Sequence, residues 1–144
     1  MYCNTDDILT TMSREDLITL TNPDVTTARD IDVVYLNKII NDSSKIIDGY
    51  VGSRYNLPFT TVPSIIITIC KELTFYSLHT FGNYSDADKA AVIQKRYDKA
   101  ISMLKEIASG TIVLENVTEK ESSEALYRFS SKTQIYTSDY LSKF

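Results

Sequence analysis

The chain has 144 residues, 43% hydrophobic and 24% charged, a balance that fits one folded domain around a single core and excludes wholesale disorder. A net charge of -4 and a pI near 4.9 exclude a protein that wraps nucleic acid, because neutralising a phosphate backbone takes clustered Lys and Arg. The opening residues, Met1 to Asp7, carry no basic stretch followed by an apolar run, and the longest apolar run, Ile65 to Cys70, is far short of the roughly 20 residues that span a bilayer. Neither secretion nor a membrane span is expected, which places the chain in the cytoplasm.

Read in chain order, the periodicities predict an all-α fold of about five helices, two short and three long. Thr5 reads as an N-cap, with Asp6 and Asp7 set against the positive end of a short helix that runs to about Thr11. Ser13 followed by Asp16 is a loose capping box for a second short helix ending near Thr21, and Asn22-Pro23-Asp24 is turn chemistry. From Asp32, apolar residues at Val33, Leu36, Ile40, Ile47, Tyr50 and Val51 predict a long helix to about Arg54, with the small Ser43 and Ser44 marking a close helix approach. Gly49 and Gly52 lie inside it, and tight packing is the preferred reason for them over an early unwinding towards Tyr55.

Leu57-Pro58 forces an extended exit, and Pro63 suits the first turn of the next helix. Ile65 to Ile69 is β-branched, yet the pattern continues through Leu73, Tyr76 and Phe81, longer than most strands, so a central buried helix is expected up to Gly82-Asn83. Ser85 then caps a last helix whose seam is Ala90, Ile93, Tyr97, Ala100, Leu104 and Ile107, with Gly110 as its stop. Composition changes there, dividing the chain into a helical domain over residues 1–110 and an extension over 111–144. Thr111 to Val117 predicts a short strand, Glu119 to Glu124 a charged connector, and the aromatic remainder a segment that docks on its own body or on a neighbour.

No catalytic set is visible: one His, no nucleophile elbow, no phosphate loop and no zinc-protease helix, so the chain is not expected to be an enzyme or to carry a cofactor. His79 on the apolar helix reads as a core or interface residue. Asp24, Asp30 and Asp32 fail the calcium-loop pattern because Arg29 stands where its glycine belongs, which leaves helix capping by Asp30 or Asp32. Cys3 and Cys70 lack metal or redox spacing, and Cys70 reads as a buried structural thiol. Lys89, Lys95, Arg96, Lys99 and Lys105, interleaved with Asp88, Asp98 and Glu106, read as a solvated helix face. Asp48 and Arg54 are too far apart on a helix to pair with each other.

Ile47-Asp48-Gly49-Tyr50, Arg54-Tyr55 and Leu57-Pro58, preceded by Thr5-Asp6-Asp7-Ile8-Leu9 and Leu17-Ile18-Thr19-Leu20, and followed by Val62-Pro63, Tyr76, Arg96-Tyr97, Leu104 and Gly110, run in the order and spacing of a known set. The chain thereby resembles a family of small proteins encoded among the head and tail genes of Mu-like phages and prophages. The closing residues, Ile135 to Phe144, also look like that family's short terminal motif. Where its members carry a more acidic, glycine-containing loop this chain has Asp24 to Asp32, so no metal site is carried over.

The resemblance implies a structural part of the virion, similar to helical head-tail connectors, present in the host cytoplasm during assembly and then in the particle. Its expected partners are further copies of itself in a ring and the portal and tail proteins, with no specific nucleic acid and no membrane. Asp48, Arg54 and Tyr55 are the residues expected at the contact between subunits, and Tyr136, Tyr140, Leu141 and Phe144 those expected to dock the tail. A small regulatory or DNA-contacting protein is the alternative, resting on a likeness of the helix pair from Thr5 to Leu20 to a helix-turn-helix; two acids and one basic residue in its second helix disfavour phosphate contact.

Overall fold

The computed structural model describes residues 1–25, 27–81 and 87–120, and within them the chain forms five helices: α1 (Thr5–Leu9), α2 (Arg14–Thr21), α3 (Val33–Val51), α4 (Ser64–Phe81) and α5 (Ala87–Ser109). The all-α architecture with two short and three long helices is the one that the periodicities predict. The connection between α4 and α5, with Gly82-Asn83 and the cap at Ser85, lies outside the described residues.

Local chemistry sets most helix starts. Asn4, not Thr5, caps α1: its side chain accepts from Asp7 N–H at 2.9 Å while the Asp7 carboxylate accepts from Asn4 N–H at 2.9 Å, so two otherwise orphaned donors are satisfied together. Ser13 accepts from Asp16 N–H at 3.1 Å to start α2, and Asp32 accepts from Tyr35 N–H at 2.9 Å to start α3. Pro63 stands one residue before α4, its carbonyl accepting from Ile66 and Ile67.

α3 and α4 form the centre, and each touches the other four helices. Leu36, Ile39, Ile40, Ile47 and Val51 of α3 bury against Ile66, Ile69, Leu73 and Leu78 of α4, with Ile8 and Leu17 of the short helices closing one side. Each such side chain, fully removed from water, stabilises the fold by about 1.5–3 kcal/mol. The small residues of α3 do what their size suggests. Ser43 and Ser44 are buried where α4 comes close, and Thr74 of α4 donates to the Ser43 hydroxyl at 3.2 Å.

The two glycines of this helix behave differently. Position 49 is exposed and a side chain there would meet nothing, whereas Gly52 is the C-cap, donating to the Asp48 carbonyl at 2.8 Å. The helix therefore stops at Val51 and unwinds towards Tyr55. Tight helix packing is not the reason for either glycine.

The seam of α5 is buried only at its C-terminal half. Ala100, Leu104 and Ile107 are in the core, Ile93 and Tyr97 are half-buried, and Ala90 is exposed. Beyond Gly110, residues 111–120 fold back onto the end of α3, with Leu114 buried. The strand expected over Thr111 to Val117 does not form among the described residues. Asn116 adopts a positive φ of 58° inside a turn, which breaks the extended backbone, and the pairing is reduced to one antiparallel bridge between Tyr55 and Glu119.

Candidate interaction surface

The three residues expected at a subunit contact are engaged within the chain. Tyr55 is 0% exposed, and its hydroxyl accepts from Leu114 N–H at 3.0 Å. Because α3 ends four residues earlier, Tyr55 sits on a turn that points its ring into the core, so it cannot meet a neighbouring subunit from the folded chain. Arg54 donates from Nε and Nη2 to Glu119 Oε1 at 3.1 and 2.9 Å, a bond that raises its pKa further. Main-chain bonds from Asn56 to Thr118 and from Lys120 to Arg54, at 3.2 and 2.8 Å, tie the same two segments together. The Lys120 ammonium also donates to the Gly52 carbonyl.

Asp48 is half-buried and accepts from the Tyr2 hydroxyl. The Tyr2 N–H donates to Ser44 Oγ at 3.1 Å, and its ring lies 5.6 Å from that of Phe59. Residues 1–4 thus form a strap across α3. Burial, and then the Asp48 carboxylate, push the Tyr2 phenol well above its ordinary pKa. Tyr136, Tyr140, Leu141 and Phe144 lie outside the described residues.

A different surface is open, along the seam of α4 and α5. At its middle Arg96 donates from Nε and Nη2 to the two oxygens of Glu72 at 2.6 and 2.9 Å, and its guanidinium lies 4.0 Å from the ring centre of Phe75. This fork raises the Arg96 pKa and joins the helices through half-buried groups. On one side of it is a hollow of about 360 Å³ lined by Ile69, Glu72, Ala100 and Met103. On the other is a second of about 360 Å³ lined by Phe75, His79, Val92 and Ile93.

Val92 is 59% exposed. His79 donates from Nδ1 to the Phe75 carbonyl at 2.7 Å, its ring lies tilted against the Phe75 ring with centroids 4.1 Å apart, and burial lowers its pKa. Tyr76 and Tyr97 stack at 4.1 Å beside the seam. Apolar hollows, half-buried aromatic rings and a fixed Arg are the composition that protein–protein contacts favour. Among the described residues, no group of three His, Cys, Asp or Glu side chains could hold a metal ion.

Sequence reasoning assigned Arg96 to a solvated face and gave Glu72 no part. The available signal was an acid and a base on two otherwise apolar helix faces, at positions where each needs a partner. Leu114, read as part of a strand, carried no such signal.

Comparison with known proteins identifies relatives. The chain is 32% identical over 87 residues to the Mu-like prophage FluMu protein gp36 of Haemophilus influenzae, a match that covers 60% of this chain and 57% of that protein. It is 26% identical over 109 residues to Gene product J of Escherichia phage Mu, covering 76% of this chain and 72% of the relative. The family model for Bacteriophage Mu, Gp36 matches residues 2–131. The chain belongs to that family of Mu-like phage proteins.

Proposed function

We propose that this protein is a structural component of a phage particle that joins head to tail, acting as one of several copies assembled side by side into a ring between portal and tail. The observation that carries the reading is membership of a phage family over residues 2–131. The seam of α4 and α5 supports it, because Val92 is exposed there and Ile93 only half-buried, beside a hollow that Phe75 of α4 also lines.

In this reading the seam replaces Asp48, Arg54 and Tyr55 as the contact between copies. The C-terminal segment would supply its occupant, with the large apolar side chains of Tyr136, Tyr140, Leu141 and Phe144 entering a neighbour's hollows either side of Arg96. The acidic net charge keeps DNA from adhering as it passes.

The test is deletion of the gene from its phage or prophage, electron microscopy of the released particles, and complementation by the full chain or by one ending after Lys120. The cut belongs there because residues 111–120 are part of the packed body. Separate heads and tails, rescued only by the full chain, are the expected result. Intact, infectious particles from the deletion would overturn the proposal and favour a regulatory role.

A further inference from the structure

Cys3 lies in the strap before α1 and Cys70 in the middle of α4, and both are buried free thiols whose sulfurs are 3.2 Å apart. Sixty-seven positions of sequence separate them, so the fold alone brings them together. Their settings are unequal. The bond that Cys3 donates favours the thiolate of Cys70 and lowers its pKa, with Ser44 Oγ 3.8 Å away adding to the effect, while that same bond and burial push Cys3 up. One sulfur is thus the better nucleophile, and the other lies on the N-terminal strap. The strap's other attachments are the bonds of Tyr2 to Ser44 and Asp48, its ring against Phe59, the burial of Tyr2 and Cys3 in the core, and the capping bonds of Asn4 with Asp7.

We propose that Cys3 and Cys70 form an oxidation site, which a small-molecule disulfide such as oxidised glutathione converts to an internal disulfide that pins the strap to α4. When the strap lifts, Cys3 gives up its proton to solvent and attacks one sulfur of oxidised glutathione, and the glutathione thiolate leaves. On its return, Cys70 gives up its proton to solvent and attacks the Cys3 sulfur of the mixed disulfide, expelling the second glutathione. Two protein thiols are oxidised and one glutathione disulfide is reduced to two thiols. The pair stays open in a reducing compartment and closes outside it, a behaviour independent of any role in a particle.

The full-length protein is incubated with oxidised glutathione, and its intact mass and thermal melting are compared with a sample kept in dithiothreitol. The expected product has lost the mass of two hydrogens, retains no glutathione, and melts higher by on the order of 10 °C, since the cross-link closes a long loop of the unfolded chain. Dithiothreitol reverses both changes, and Cys3→Ser and Cys3→Ala show neither. Stable glutathione adducts on the native chain, dimers linked between copies, or an unaltered mass under conditions that oxidise the urea-unfolded chain would each overturn the proposal. So would an internal disulfide that leaves the melting temperature unchanged or lower.

Discussion

The guanidinium of Arg54 fills the space that a side chain at Gly110 would need, and Glu119 holds it there. Gly110 also has a φ of 86°, in the left-handed region that favours glycine. Gly110→Ala is therefore expected to cost about 2–3 kcal/mol, measured by urea unfolding, from backbone strain and a displaced Arg54 together. In an Arg54→Ala background the cost falls to about 1 kcal/mol, the strain alone; equal costs in the two backgrounds would show that the residues are not coupled.

The glycines at the end of α3 give opposite expectations. Gly49→Ala adds a methyl in open space on a helix and is expected to stabilise by about 0.5–1 kcal/mol. Gly52→Ala drives its new carbon to 2.6 Å from the Asp48 carbonyl oxygen, a backbone atom that cannot swing away, and is expected to destabilise by about 1–2 kcal/mol. Paired thermal melts of the two variants decide this.

Tyr55 holds the returning segment by one buried hydrogen bond. Tyr55→Phe leaves the Leu114 N–H without its acceptor and is expected to cost about 1–2 kcal/mol. Leu114→Ala, which empties the buried site of the same segment, is expected to cost about 2–4 kcal/mol. Amide hydrogen exchange should show residues 111–120 opening more readily in both variants, without loss of protection in the centre of α4.

Alkaline pH should loosen the strap. The folded phenol of Tyr2 is raised above its ordinary value of 10.0, so its contribution is fully present below that value. Above it the unfolded chain loses the proton first, and stability falls as pH rises. Tyr2→Phe is expected to be less stable by about 1–2 kcal/mol near neutral pH and to lose less than the wild type on going to strongly alkaline pH. Urea midpoints at a series of pH values give both numbers; parallel curves for the two proteins would contradict the assignment.

The helices were legible because apolar residues recur at helical spacing over long stretches, and Ser13, Asp32 and Gly110 punctuate them with side chains or backbones of known effect. In sequence the cap of α1 reads as Thr5, one residue late; the reciprocal bonds of Asn4 and Asp7 place it at Asn4. The proposed contact surface was not legible. Arg54-Tyr55 looks like an exposed anchor pair in one dimension, and only the chain's return 65 residues later turns it into an internal clamp. For the same reason Arg96 and Glu72, 24 residues apart, gave no sign of each other.

The most direct measurement of the central claim is where the protein sits in the particle. Purified particles carrying an epitope tag on this chain should bind gold-labelled antibody at the junction of head and tail, with the protein retained through gradient purification. Particles that are intact and infectious yet contain none of it, or that carry label only elsewhere, would contradict the account.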